Sequence, residues 1–183
     1  MHINNGWLTL AERILSPNID DRPEGTAIDL LVIHNISLPP NQFGGGHIAE
    51  LFTNCLNPAA DDYFAEICGL KVSAHLLIDR LGAITQFAPF TQRAWHAGVS
   101  QFSGRERCND FSIGIELEGA DHIPYTDRQY DVLAAVTKAL QTEYPNLQND
   151  KIVGHSDIAP GRKTDPGEAF DWARYKKMLD SAG

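Results

Sequence analysis

At 183 residues the chain is long enough for one domain with a substantial core, and 43% hydrophobic with 21% charged residues is ordinary globular usage, which argues against disorder or a coiled coil. Its 15 basic and 24 acidic residues leave a formal net charge of -9, a surface that repels polyanions and argues against a general nucleic-acid or anionic-membrane binder. Three cysteines, Cys55, Cys68 and Cys108, show no C-x-x-C spacing, the first residues lack the basic and apolar regions of a secretory signal, and no apolar run approaches the roughly 20 residues that span a bilayer; a cytoplasmic protein with free thiols is expected.

Taken in order, residues 1–27 carry Pro17, Pro23 and Gly25 and read as irregular, with a short helix or docked arm between Trp7 and Ile14. Leu30 to His34 is a continuous apolar run ending in a histidine, as in a central strand buried on both faces. His34 at its exit is either a ligand facing a cleft or a hydrogen-bonded core histidine. Residues 36–46 hold Pro39-Pro40 and three consecutive glycines, a loop and candidate lid. A short helix over Ile48 to Thr53 and a turn over Pro58 to Asp62 follow, then a hairpin from Val72 to Asp79 and Ala83 to Phe87 around Gly82.

In Arg93 to Gly98, Trp95 beside His96 reads either as a binding wall or as a core tryptophan with His96 as its polar edge. Arg105, Glu106 and Arg107 mark a charged loop. Phe111 to Leu117 alternates cleanly: Phe111, Ile113, Ile115 and Leu117 take one face, and Ser112, Gly114 and Glu116 the other. The small Ser112 and Gly114 leave room beside Glu116 for a ligand or a neighbouring element. Thr126 to Gln129 matches a capping box, and Tyr130, Leu133, Val136, Thr137 and Leu140 predict an amphipathic helix ending at Tyr144-Pro145. Ile152 to Gly154 is a short strand delivering His155, and Phe170 to Leu179 a terminal helix. This order of elements predicts a single α/β domain with one central mixed β-sheet flanked by helices, over residues 1–183.

The loop Gly154 to Gly167 concentrates His155, Lys163 and Asp165, which read as ordinary loop polars or as chemistry. With His34 they make two histidines and a carboxylate, the composition of a zinc site that keeps a fourth position for water, although no local motif fixes the ligands. Four stretches carry a more specific signal: L-V-I-H-N-I-S-L-P-P from Leu31, R-A-W-H-A-G-V-S from Arg93, Gly104 through Gly119, and G-H through R-K-T-D-P-G from Gly154 to Gly167. In this order, across nearly the whole chain, they resemble the zinc N-acetylmuramoyl-L-alanine amidase family, in its cytoplasmic branch acting on 1,6-anhydro-muropeptides. Phage lysozyme-type amidases and peptidoglycan recognition proteins are more distant relatives.

The resemblance implies one zinc per chain held by His34, His155 and Asp165, with Glu116 as general base and Lys163 stabilising the oxyanion. It further implies contacts to a small muropeptide substrate from Asn35, Lys71, Trp95 and Arg107. Lys71 departs from the arginine expected in close relatives, which keeps the charge and loses the bidentate fork. The expected role is peptidoglycan recycling, limiting the muropeptide signals that induce β-lactamase, by a monomer in the cytoplasm with no nucleic-acid or membrane partner. Two other readings are a non-catalytic muropeptide-binding module of the same fold and a cysteine or serine hydrolase using Cys108 or Ser156, for which no nucleophile signature is present.

Overall fold

A computed structural model describes residues 1–180. Four short strands open the chain: β1 (Ile3–Asn4), β2 (Trp7–Leu8), β3 (Glu12–Arg13) and β4 (Ile19–Asp21), before the seven-residue β5 (Leu30–Ile36). Helices α1 (His47–Phe52) and α2 (Asp62–Ile67) precede the hairpin of β6 (Leu76–Ile78) and β7 (Ile84–Gln86). Next come β8 (Gln92–Ala94), β9 (Gln101–Phe102), β10 (Arg105–Glu106) and the seven-residue β11 (Ser112–Glu118). The chain ends in α3 (Asp127–Glu143), β12 (Ile152–Gly154), α4 (His155–Ile158) and α5 (Trp172–Asp180).

Six strands form one mixed sheet in the order β12-β5-β11-β6-β7-β3, as the sequence predicts. The β12, β5, β11 and β6 strands run parallel, β7 returns antiparallel to β6, and β3 lies parallel to β7. Apolar residues cover both faces of the central strands. Leu31 and Ile33 of β5 join Ile113, Ile115 and Leu117 of β11 in the main core, against Leu133, Val136 and Leu140 of α3 and Tyr175 of α5. Each such side chain, taken fully out of water, contributes about 1.5–3 kcal/mol. A second cluster joins Leu51 and Phe52 of α1 and Phe64 of α2 to Leu77 and Phe87, and a third joins Leu30 and Val32 to Phe111 and Ile158.

The capping box of α3 forms as predicted: Gln129 N–H donates to Thr126 Oγ1 at 3.1 Å, and Thr126 N–H to Gln129 Oε1 at 3.1 Å. Three expectations need correction. Trp7 to Ile14 is not helical; β1 and β2 form a hairpin through Asn5 (φ 50°) and Gly6 (φ 78°), the Asn-Gly pair that favours positive φ at both turn positions. Residues 1–27 are held by strand pairing and by the buried Gln86, whose Oε1 accepts from Leu8 N–H at 2.8 Å. Asp61, read as part of a turn, caps the unpredicted α2 by accepting from Tyr63 N–H at 2.9 Å. Among the described residues, no helix is long and apolar enough to cross a membrane.

Candidate active site

Ligands of open parallel sheets collect outside the carboxyl ends of the strands, and β5, β11 and β12 end together. His34 lies near the end of β5, directly opposite Glu116 in the β11 register. Gly154 of β12 pairs with Ile33, so the next residue, His155, is delivered beside His34 as the first residue of α4. Asp165 returns from the loop after α4, where its carbonyl accepts from Ser156 N–H at 3.0 Å and the next carbonyl, of Pro166, accepts from the buried Tyr125 hydroxyl at 2.7 Å. Glycine permits this approach, since a Cβ on Gly154 would stand 2.8 Å from Pro166 Cδ.

The three donor atoms form a nearly equilateral triangle. His34 Nδ1 is 3.0 Å from His155 Nδ1 and 3.0 Å from Asp165 Oδ2, and His155 Nδ1 is 3.1 Å from Asp165 Oδ2. A tetrahedral ion with bonds of about 2.0–2.1 Å has edges of roughly 3.3 Å, so the chelate shape fits a small divalent metal with one position left open. The charge states fit as well. Burial pushes His34 down to about 4, against the opposing hydrogen bond from Asp165. Burial pulls Asp165 upward, but the hydrogen bonds of His155 and His34 outweigh it and hold the carboxyl below the usual range. A neutral imidazole and an ionised carboxylate are the forms that donate lone pairs.

Glu116 Oε2 is buried and has no hydrogen-bond partner among the described residues. Burial and, after it, the charge of Asp165 push this carboxyl well above its ordinary value, with Lys163 opposing. This oxygen lines the same cleft as the three converging donor atoms, and a buried polar atom without a partner marks a candidate reactive position. His34, Glu116, His155, Lys163, Asp165 and Asn35 all line one cleft of about 340 Å³, with Lys163 on its exposed rim.

Of the residues predicted to contact substrate, Asn35 lines the cleft itself and Lys71, Trp95 and Arg107 sit farther out. Asn35 donates to Asp121 Oδ1 at 2.8 Å on the wall shared with an adjoining polar depression. Lys71 and Trp95 line a second adjoining depression that shares His96, His155 and Lys163 with the cleft. Trp95 is half-buried, its indole N–H donating to Asp20 Oδ1 at 3.1 Å, whereas His96 is the buried member of the pair. Arg107 is exposed and does not line the cleft; it borders a further depression that continues past Gly98 and Arg162.

Sequence reasoning missed the groups that support the ligands. His34 Nε2 lies 2.9 Å from His96 Nδ1, and His155 Nε2 lies 3.1 Å from the Ala97 carbonyl. The room expected beside Glu116 is filled by the His96 ring, and the small Ser112 and Gly114 were the sequence signal for it. Beneath them, Arg22 donates to the carbonyls of Phe90, Asn109, Asp110 and Ser112 at 2.8–3.2 Å, pinning the loop that carries Asn109 to β11. Cys108 is buried and desolvation pushes its thiol pKa up, the wrong direction for a nucleophile.

Residues 24–168 match the family model described as N-acetylmuramoyl-L-alanine amidase. The chain is 59% identical over 179 residues to the 1,6-anhydro-N-acetylmuramyl-L-alanine amidase AmpD of Escherichia coli (strain K12), covering 98% of this chain and 97% of that protein. It is 56% identical over 173 residues to the protein of the same name in Haemophilus influenzae, covering 94% of each. Among solved structures, the crystal structure of an AmpD derivative superposes with a TM-score of 0.95 at 57% identity, over 98% of this chain and 99% of that one. The Escherichia coli amidase AmiD, solved in complex with anhydro-N-acetylmuramic acid-L-Ala-D-gamma-Glu-L-Lys, superposes with a TM-score of 0.60 at 28% identity, over 86% of this chain and 60% of that one. Fold, site chemistry and these likenesses agree: the chain belongs to the N-acetylmuramoyl-L-alanine amidase family.

Proposed function

We propose that this chain is a zinc amidase hydrolysing the amide that joins the lactyl group of 1,6-anhydro-N-acetylmuramic acid to the L-alanine of its stem peptide. One observation carries the reading: the His34, His155 and Asp165 triangle, the unpartnered Glu116 carboxylate oxygen and the Lys163 ammonium all open onto the same cleft. The names of the full-length relatives suggest the substrate class, and a muropeptide complex solved for AmiD, a protein of the same fold, supports it.

When held by the two histidines and the aspartate, zinc supplies Lewis acidity and lowers the pKa of a water to about 7. Glu116 takes the proton of the attacking water and hands it to the leaving amine of L-alanine. Burial strengthens Glu116 as a base, since a raised pKa is a higher proton affinity. Lys163 brings a positive charge to the rim where the amide oxygen gathers negative charge. Asn35 faces the stem-peptide backbone, Lys71 and Trp95 form the adjoining wall for the anhydro-sugar, and Arg107 meets a distal carboxylate of the stem where the depressions continue past Gly98.

On this reading the enzyme acts as a monomer on free muropeptides in the cytoplasm, in peptidoglycan recycling. A non-catalytic binding module would have no use for a buried, unpaired carboxylate beside the ligand triangle. Incubation with anhydromuramyl-tripeptide and zinc, followed by mass spectrometry, yields free tripeptide if the enzyme reading is right and intact substrate if the chain only binds.

A further inference from the structure

An imidazole that gives one nitrogen to a metal carries its proton on the other, and that N–H needs an acceptor to fix the ring. His34 points Nδ1 into the ligand triangle and Nε2 at His96 Nδ1, 2.9 Å away. The next contact along this line is between His96 Nε2 and Ser112 Oγ, at 3.0 Å. The proton assignments then close without conflict. His34 Nε2–H donates to His96 Nδ1, and His96 Nε2–H donates to Ser112 Oγ.

The position of His96 is itself built in. Its ring lies over Gly114, where a Cβ would be 2.4 Å from the ring Cγ, so any side chain at that point of β11 must displace the ring or the strand. Its backbone N–H and that of Ala97 both donate to Asn109 Oδ1, at 3.2 and 2.8 Å. The Ala97 carbonyl in turn lies 3.1 Å from His155 Nε2 and accepts from Arg162 at 2.7 Å. Two consecutive residues thus supply the outer acceptors of both histidines in the triangle.

We infer that His96 is a positioning residue of the metal centre, fixing the tautomer and ring plane of His34 through its Nδ1 while Ser112 holds its own Nε2–H. The inference rests on the zinc reading above. Its test is the dissociation constant for zinc, measured by competition with a chromophoric chelator, together with the visible spectrum of the cobalt(II)-substituted protein. His96→Leu removes the acceptor and is expected to weaken zinc binding about 10- to 100-fold and to alter the cobalt spectrum. His96→Asn places Oδ1 where Nδ1 stood and is expected to recover most of that loss, which a purely space-filling role would not give. Ser112→Ala keeps the ring and is expected to weaken binding severalfold, and it carries the test if His96→Leu does not fold. Wild-type affinity in a folded His96→Leu, or equal loss in the leucine and asparagine variants, would overturn the inference. Failure of the wild type to bind zinc would instead overturn the zinc reading itself.

Discussion

Glu116 stands directly opposite His34 across the parallel ladder of β5 and β11. The pairing places the proposed base and a metal-ligand candidate on one face of the sheet, while Ile115 and Ile33, one residue earlier, pair on the other face against α3. A one-residue slip would turn Glu116 into the apolar core, so the burial that stabilises the sheet also fixes the site register.

That carboxylate is the proton acceptor of the proposed reaction. Glu116→Gln keeps the shape of the side chain and removes its basicity, so kcat is expected to fall by about 10²–10⁴-fold while zinc content stays at one per chain. Steady-state kinetics with metal analysis of the same sample checks both halves. Retained turnover would remove Glu116 from the chemistry.

Lys163 lies on the exposed rim of the cleft, and among the described residues it is tied to the fold by its backbone N–H, which donates to the Ala159 carbonyl at 3.1 Å. Lys163→Ala is therefore expected to leave the melting temperature nearly unchanged and to lower kcat by about 10²–10³-fold, with a smaller change in KM. A change confined to KM would make Lys163 a substrate contact only.

Gly114 is required by a ring and not by a turn. Gly114→Ala drives a methyl group into His96, so a loss of about 1–3 kcal/mol in stability is expected together with weakened zinc binding. Urea denaturation and chelator competition read the two effects separately. Weakened stability with unchanged zinc affinity would show that β11 yields and His96 stays.

Acid stability follows from His75, which is fully buried with Gly114 N–H donating to its Nδ1 at 3.0 Å. Burial first, and the neighbouring Arg22 charge second, push its pKa down to about 3. Unfolded, the same group titrates near ~6.5, so between these values the unfolded chain binds the extra proton. Its stabilising effect is whole above about pH 6.5 and declines as pH falls toward 3, by up to about 1.4 kcal/mol per pH unit. Urea midpoints of metal-free wild type and His75→Asn across pH 4–7 check this. Parallel curves would contradict it.

Long and self-contained patterns were legible in the sequence. The apolar run into His34, the alternation that isolates Glu116 and the capping box at Thr126 each state their structure locally, and the sheet, its faces and α3 follow. The hairpin at Asn5-Gly6 carried its signal in its turn residues, which the irregular reading of residues 1–27 passed over because two-residue strands are too short for periodicity to report. His96 was not identifiable as support for His34, because their separation of 62 positions is closed by tertiary contacts such as those of Asn109 and Ser112, which no local pattern reports. The ligand triangle likewise draws on residues 34, 155 and 165, which no local spacing connects. Arg107 shows the opposite case: a charged loop residue conspicuous in an acidic sequence, placed by the fold outside the central cleft.

A zinc amidase built on His34, His155 and Asp165 cleaves anhydromuramyl-tripeptide only with its metal in place, and mass spectrometry follows the cleavage. The samples are zinc-loaded wild type, the same protein after chelation, and Asp165→Ala supplied with zinc. Free tripeptide is expected from the zinc-loaded wild type alone, restored to the chelated sample when zinc is returned, with no stoichiometric zinc in Asp165→Ala. Equal release from the chelated protein, or full zinc content and activity in Asp165→Ala, would contradict the zinc amidase reading.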